Sequence, residues 1–277
     1  MMRIDAHQHY WKIDRNDYGW ITPEVPVLYR DFLPEHLLPQ LQKHNIEKTI
    51  LVQAAPTIEE SEFLLHLSEE DDTIAGVVGW LDLEDPLYLE HYSSFAKHPK
   101  FVGFRVMIQD MKDPNLILTK PYQEAFAYFS EKNVPIDLLI TSDQLQVVVD
   151  LLDKQPKMRA VIDHIAKPNI KQGIMQPWKT QMERIANNPN IYCKLSGMVT
   201  EANHHSWMLQ DFREYITHII DCFGIDRIMF GSDWPVCILA GSYDEVLSIL
   251  ENNLPPYFTD LDKEKLFGLN AKTFYKI

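Results

Sequence analysis

The sequence contains no long run of apolar residues. Polar residues begin at Arg3, where a secretory signal would need an apolar segment of about 7–15 residues. No stretch approaches the roughly 18 consecutive apolar residues that span a membrane. We therefore expect a cytoplasmic protein without a membrane anchor. With 45% hydrophobic and 24% charged residues, the chain has the composition of a folded globular protein.

Cysteine is scarce, and clusters of basic residues are absent. Cys193, Cys222 and Cys237 are odd in number and form no CxxC pair, so we expect buried apolar cysteines rather than a disulfide framework. The chain has 26 Lys and Arg residues but 40 Asp and Glu residues, which gives a net charge of −14. Nucleic-acid binding needs clustered positive charge. We therefore expect a small-molecule partner, and the sequence leaves a homo-oligomer open.

No glycine-rich phosphate loop follows the first apolar run, which ends in HQHYW. Segments of helical period alternate with short apolar runs that predict strands at about 3–8, 48–54, 74–80, 101–106, 134–140, 159–164, 190–196 and 226–231. Parallel strands need such crossovers. Eight units in a chain of this length favour an α/β fold closed as a (β/α)8 TIM-like barrel over an open doubly wound sheet. We predict one domain over residues 1–277, with C-terminal helices in LDKEKLFGLNAKTFYKI.

Three connections are too long to be simple turns: residues 9–33, 107–119 and 197–208. Each follows a predicted strand, so each would lie at the C-terminal face of the barrel, where active sites form. Long loops in compact domains are often functional. The third loop contains His204 and His205, for which solvent exposure is the simpler expectation.

Polar residues also end three of the predicted strands. His7 and His9 close the first strand and, two residues apart, would face the barrel axis together. Asp163 and His164 close the sixth; along a regular strand Asp163 would face away from His164. Asp233 follows the eighth, in GSDWP. Each site also has a simpler explanation when it is taken singly. His7 and His9 could be surface histidines, His164 a histidine of the core, and Asp233 a helix N-cap.

Taken together, His7, His9, His164 and Asp233 would converge at one mouth of a closed barrel. Three imidazoles and a carboxylate are a suitable ligand set for Zn2+ or a similar ion. Such an ion polarises a carbonyl and lowers the pKa of bound water. Asp233 would act as general base and, with His164, would form the catalytic pair.

Residues at other strand ends are candidates for substrate binding. The guanidinium of Arg105 suits a carboxylate or a diol. Gln53 could donate to hydroxyl groups, and Lys194 shares a strand face with Ser196 and could instead pair with an acid. Tryptophans near the same mouth could stack on a sugar ring, although packing explains each one singly: Trp11, Trp20 and Trp234.

The motifs DAHQHYW, GFR, DHIAKP, KLSGM and FGSDWP occur in this order along essentially the whole chain. In this combination the sequence resembles the amidohydrolase superfamily, and within it the hydrolases of sugar lactones such as L-fuconolactone and L-rhamnonolactone. The resemblance implies a distorted barrel with its site at the C-terminal ends of the strands. It also implies hydrolysis of a cyclic ester with opening of the ring.

One departure from the superfamily concerns the metal. Many members carry a bridging Lys, Glu or further His at the fourth or fifth strand, where this chain has FVGFRV and VPIDLLI. Only Asp137 lies inside the latter, so we expect one divalent ion, Zn2+, rather than two. Some lactone-hydrolysing relatives work without metal, with the base acting directly and histidines polarising the carbonyl. The sequence leaves both forms open.

The function that we predict is therefore a lactonase. Two alternatives remain at this point: a metal-dependent decarboxylase of an unsaturated or aromatic acid on the same barrel, and a barrel that binds a sugar acid without turnover. A carboxylate beside a histidine cluster favours proton transfer over simple binding.

Overall fold

Eight parallel strands form one sheet in a computed structural model that describes residues 2–277. The strands are β1 (Arg3–Gln8), β2 (Ile46–Val52), β3 (Ile74–Trp80), β4 (Phe101–Met107), β5 (Ile136–Leu139), β6 (Ala160–Ile162), β7 (Ile191–Leu195) and β8 (Ile228–Phe230). Each strand pairs with the next one along the chain. The predicted (β/α)8 barrel is confirmed.

Helices pack around the strands and close one end of the barrel. They are α1 (Pro34–Lys43), α2 (Ile58–Glu70), α3 (Tyr88–Phe95), α4 (Lys120–Glu131), α5 (Leu145–Lys154), α6 (Trp178–Ala186), α7 (Arg213–Phe223), α8 (Tyr243–Asn253), α9 (Asp260–Glu264) and α10 (Asn270–Tyr275). In α5, for example, the buried residues Leu145, Val148 and Leu152 recur at intervals of three and four, which gives the helix one apolar face. The predicted C-terminal helices are present as α9 and α10.

The seam between β1 and β8 is the weakest part of the sheet. The two strands meet beyond their regular pairing, where His9 N donates to Trp234 O at 2.7 Å and Asp233 N donates to His7 O at 2.8 Å. Below this point the carboxylate of Asp5 accepts from Ser232 N at 2.8 Å. Side-chain bonding therefore supplements sparse backbone pairing, and the barrel is nearly closed but distorted at this seam.

Two apolar layers hold the barrel together. The larger layer lies between the helices and the outer face of the strands. The smaller layer fills the barrel interior with residues such as Ile4, Val78 and Met229, and Phe274 of α10 packs against them from below. The open end of the barrel is therefore the one formed by the C-terminal ends of the strands.

Several strands are shorter than the apolar runs predict. β6 ends at Ile162, whereas the run extends to residue 164, and β8 ends at Phe230. The backbone leaves the extended conformation after these residues, since His164 and Asp233 adopt φ of 52° and 57°. The apolar pattern continues into the turns because their residues are also buried.

The expectations about cysteines and membrane segments can be compared with this fold. All three cysteines are free; Cys193 and Cys237 are buried, and Cys222 is only half-buried. Within residues 2–277 none of the helices combines the length and the apolar character that crossing a membrane requires.

Candidate active site

His7 and His9 lie at the end of β1 with their rings at the mouth of the barrel. Their Nε2 atoms are 3.2 Å apart, and both side chains are buried. Ile4 and Ala6 also face the interior, so strict alternation would turn His7 outward. The β1–β2 register shifts between Asp5 and Gln8, and this irregularity brings both imidazoles inward.

His164 reaches the same place by a different route. Alternation along β6 places Asp163 inside the barrel, and the positive φ of His164 then turns its ring back toward the mouth. The prediction that Asp163 faces away from His164 is therefore wrong, because the two side chains lie within one group of possible ligands. The turn requires a glycine beside it, because a Cβ on Gly197 would lie 2.4 Å from His164 Nδ1. Gly231 leaves space for His7 in the same way, because a Cβ there would lie 2.6 Å from His7 Cβ.

Asp233 stands among the three imidazoles. Its Oδ1 lies 3.4 Å from His9 Nε2 and 3.8 Å from the Nε2 atoms of both His7 and His164. Burial opposes ionisation of this carboxyl, but His164 and His9 outweigh it and hold the pKa of Asp233 below its ordinary value. The side chain is therefore a carboxylate at neutral pH.

Hydrogen bonds and burial set the state of the imidazoles. Val52 O can only accept a hydrogen bond, so the 2.7 Å contact from His9 Nδ1 places the proton there and leaves Nε2 free. Burial, reinforced by Lys194, lowers the pKa of His7 well below its usual range, and burial does the same for His164. His164 Nδ1 lies 3.0 Å from Ser196 Oγ, which orients the ring.

These four side chains fit a divalent metal ion. Four donors placed tetrahedrally at the Zn–N and Zn–O distances of about 2.0–2.2 Å would lie roughly 3.3–3.6 Å apart. Four of the six donor separations, at 3.2, 3.4, 3.8 and 3.8 Å, are close to these values. His7, His9 and Asp233 are close enough to share one ion, and His164 Nε2 adds a third imidazole 3.8 Å from Asp233 Oδ1, so the predicted ligand set of His7, His9, His164 and Asp233 has the donor types that a divalent ion needs.

A buried ion network lies below the histidines. The Lys194 ammonium is 2.5 Å from Asp137 Oδ2 and 3.1 Å from both Asp163 Oδ1 and His7 Nδ1. Tyr275 of α10 donates to the Asp137 carboxylate at 2.9 Å. Burial acts against ionisation of Asp163, but Lys194 overcomes it and lowers the pKa of this carboxyl. Lys194 is fully buried and pairs with two acids. It does not line the cavity in which the sequence predicted it to contact substrate.

A cavity of about 490 Å³ opens above the imidazoles. Its lining comes from strand ends and from the first two long loops: His9, Asp17, Gly19, Trp20, Ala54, Pro56, Arg105, Met107, Gln109, Asp110, Leu139, His164, Lys167, Asp233 and Val236. Trp20 is 41% exposed at the rim, and its Nε1 donates to Ala54 O at 2.8 Å. The mixture of one apolar ring and several charged groups suits a small polar molecule.

Other predicted substrate contacts have structural roles instead. Gln53 is fully buried and its Oε1 accepts from Arg105 at 2.7 Å, so it orients the guanidinium rather than lining the cavity. Trp234 packs edge-on against Tyr10 and Phe32 in the wall. Trp11 is fully buried.

Arg105 lines the cavity as expected, and its second contact is with Asp163 Oδ2 at 3.5 Å. His204 and His205 are exposed in the third long loop and border a separate outer pocket. Of the three polar residues predicted to bind substrate, Arg105, Gln53 and Lys194, Arg105 is therefore the one that lines the cavity.

Sequence reasoning gave no role to Glu60, which supports one wall of the cavity. Its carboxyl group accepts from Ala54 N at 3.0 Å and from Ala55 N at 2.8 Å, and it is fully buried. An acid within the first turn of a helix is common, because it complements the helix dipole. The sequence signal was therefore indistinguishable from an ordinary surface acid.

Glu60 also makes stability depend on pH. Burial raises its pKa from 4.5 to about 8, so between these values the folded protein keeps a proton that the unfolded chain releases. Stability from this group is therefore lost as pH rises from 4.5 to 8. We expect Glu60→Gln to become progressively more favourable relative to wild type over this range in urea unfolding. The exposed Glu59→Gln is the control and should run parallel to wild type; parallel curves for both variants would contradict the prediction.

The fold and the site together define an amidohydrolase-type barrel enzyme, with histidines after β1 and β6 and an aspartate after β8 around one centre. The family model described as Amidohydrolase matches residues 4–277, and the chain belongs to this family.

Similar proteins include enzymes of known activity. An L-fucono-1,5-lactonase of Burkholderia ambifaria is 36% identical over 99% of this chain and 96% of its own length. The solved structure of an amidohydrolase from Burkholderia multivorans with bound zinc has a TM-score of 0.94 and 34% identity, with 100% of both chains covered. A 2,6-dihydroxybenzoate decarboxylase from Rhizobium has a TM-score of 0.70 and 15% identity over 100% of this chain and 99% of its own, a likeness in fold alone. The decarboxylase alternative therefore gains no support.

Proposed function

We propose that this protein is a hydrolase that opens a sugar-acid lactone, of the L-fucono-1,5-lactone type, by attack of water on the ester carbonyl. The observation that carries the proposal is the position of Asp233 Oδ1 within 3.8 Å of three imidazole Nε2 atoms at the floor of a substrate-sized cavity. Similarity over the full length to a lactonase supports the substrate class. Because strands from β1 to β8 supply this site, residues 1–277 form one catalytic domain.

Asp233 is the general base. The three short contacts with the imidazoles end on Oδ1, which leaves Oδ2 to take a proton from the attacking water. The same carboxyl group then returns the proton to the ring oxygen as the ester bond breaks. His164 completes the catalytic pair, because its ring, oriented by Ser196, lies 3.8 Å from Asp233 Oδ1.

The substrate is oriented by the cavity wall. Arg105 donates hydrogen bonds to a hydroxyl or ring oxygen, because Gln53 and Asp163 fix its guanidinium in place. Trp20 offers an indole face at the rim for the apolar side of a sugar ring. Asp17 and Asp110 accept hydrogen bonds from further hydroxyl groups.

One divalent ion, Zn2+, would be held by His7, His9, His164 and Asp233. When bound, it would polarise the lactone carbonyl and lower the pKa of the attacking water. Below it, Lys194 and Asp163 hold the Nδ1 side of His7 and fix that ring.

The test is a pH-indicator screen of aldonolactones on the purified protein, with elemental analysis of the same sample. We expect acid release from at least one six-membered aldonolactone, about one equivalent of zinc, loss of turnover with a chelator, and recovery with added Zn2+. Turnover that persists in metal-free protein would refute the metal requirement while retaining the hydrolase. Release of CO2, or ligand binding with no turnover of any lactone, would refute the proposed reaction.

A further inference from the structure

The segment that follows β6 has an unusual backbone. Four consecutive residues, His164, Ile165, Ala166 and Lys167, have φ of 52°, 48°, 60° and 47°. A residue with a Cβ atom loses free energy in this left-handed region, and runs of such residues are rare. Strain of this kind persists where the surrounding structure imposes it, commonly at functional sites.

The left-handed turn places two side chains in the cavity. Lys167 N donates to His164 O at 2.9 Å, which closes a single turn of three residues. Residues separated by one such turn lie on the same face, and both His164 and Lys167 line the cavity. Ile165 and Ala166 are fully buried, and Trp178 Nε1 donates to Ile165 O at 2.7 Å to fix the turn.

Lys167 differs from the other cations of the site in having no partner. Lys194 pairs with two acids, and Arg105 with Asp163 and Gln53. Within residues 2–277 the Lys167 ammonium makes neither a side-chain hydrogen bond nor an ion pair within 4.0 Å. Its side chain nevertheless belongs to the site, because it lines the same cavity as His164 and Asp233.

We propose that Lys167 is a further catalytic residue, whose ammonium binds the acyl oxygen of the lactone as negative charge develops there and then holds the product carboxylate. The inference rests on the proposed lactonase function. The strained turn and the lack of a direct ion-pair partner carry it, since together they place a lysine at the cavity lining where the reaction generates negative charge.

The charge balance of the reaction gives such a group a role beside that of the metal ion. Water adds to the acyl carbon, its proton passes to Asp233, and the carbonyl electron pair moves to the acyl oxygen. Collapse breaks the bond from the acyl carbon to the ring oxygen, which takes the proton. A neutral lactone and water thus become a hydroxy acid, which ionises to a carboxylate and one proton. The positive charges of Lys194 and Arg105 are already matched by Asp137 and Asp163.

The test compares Lys167→Met with Lys167→Arg, and Lys171→Met serves as control. Lys171 is an exposed lysine near the same turn. With L-fucono-1,5-lactone, we expect Lys167→Met to lower kcat by about 100-fold, the usual effect of removing one group that stabilises an oxyanion. KM should change much less, and Lys167→Arg should restore most of the loss because the charge is kept. Lys171→Met should match wild type.

Zinc content and Tm show whether a loss of activity has a structural cause. Lys, Met and Arg are equally strained in the left-handed region, so the substitutions should not destabilise the turn. We expect both to be unchanged in Lys167→Met. A kcat within threefold of wild type would overturn the proposal. So would a rise in KM with unchanged kcat, or an equal loss in the Met and Arg variants accompanied by loss of zinc.

A binding measurement separates this proposal from the proposed function. Calorimetry with L-fuconate, the ring-opened acid, requires no turnover, and L-fucose provides a neutral comparison. We expect Lys167→Met to weaken fuconate binding at least tenfold and to leave fucose binding unchanged. An equal loss for both ligands, or for neither, would overturn the role of Lys167. Charge-selective weakening in a protein that hydrolyses no lactone would instead refute the proposed function and retain the anion-binding lysine.

Discussion

Asp233→Asn is expected to lower kcat for lactone hydrolysis by on the order of 10³-fold, the usual contribution of a general base. Asparagine retains the shape of the side chain and tolerates the φ of 57° at this position, but its amide cannot accept a proton from water. The measurement is initial acid release at saturating lactone. Because the lost interaction belongs to the transition state, KM should change little.

The control for this variant is Asp153→Asn, which makes the same change in charge on the exposed face of α5. It should have wild-type kcat and Tm. If Asp233→Asn kept more than a tenth of the wild-type kcat with its zinc content intact, Asp233 would not be the base. If kcat fell only in proportion to lost zinc, the residue would act as a ligand alone.

Lys194→Met is expected to lower the free energy of unfolding by about 3–5 kcal/mol, the cost of leaving buried charges without a partner. The side chain is fully buried within 3.1 Å of Asp137 and Asp163, both of which are also fully buried. Methionine has a similar length but cannot compensate either carboxylate. Urea unfolding at pH 7, monitored by tryptophan fluorescence, measures the change.

A double variant distinguishes loss of charge pairing from poor packing. Asp137→Asn in the Lys194→Met background removes the carboxylate that is left without a cationic partner, while Arg105 still lies 3.5 Å from Asp163. We expect it to recover at least 1 kcal/mol relative to Lys194→Met, as coupled neighbours do. Lys171→Met should be neutral. A change below 1 kcal/mol for Lys194→Met, or no recovery in the double variant, would show that the ion network does not stabilise the barrel.

The prediction of the barrel from sequence succeeded because its evidence is local. Apolar strand runs alternate with helical periods, and this pattern survives in each short window of the chain. Polar residues after β1, β6 and β8 could be recognised in the same way, because parallel strands that close on one axis bring their C-terminal ends together. The four residues that we propose as metal ligands can therefore be recognised from the sequence.

Residues whose partners are distant in sequence could not be assigned from it. Gln53, Lys194 and Trp234 were predicted to contact substrate, yet Gln53 bonds Arg105, Lys194 pairs with acids, and Trp234 packs in the wall. Their residue types suit both roles. The choice depends on which atoms lie within hydrogen-bond distance after folding.

The order of strands and helices and the polar residues that end the strands can be derived from local patterns, because they follow from periodicities of two and of about 3.6 residues. The directions of those side chains depend on the folded barrel. The register shift in β1 and the left-handed turn after β6 both break the strand period. Each is maintained by contacts with neighbouring strands, as at Gly197 beside His164, and such contacts have no local signature.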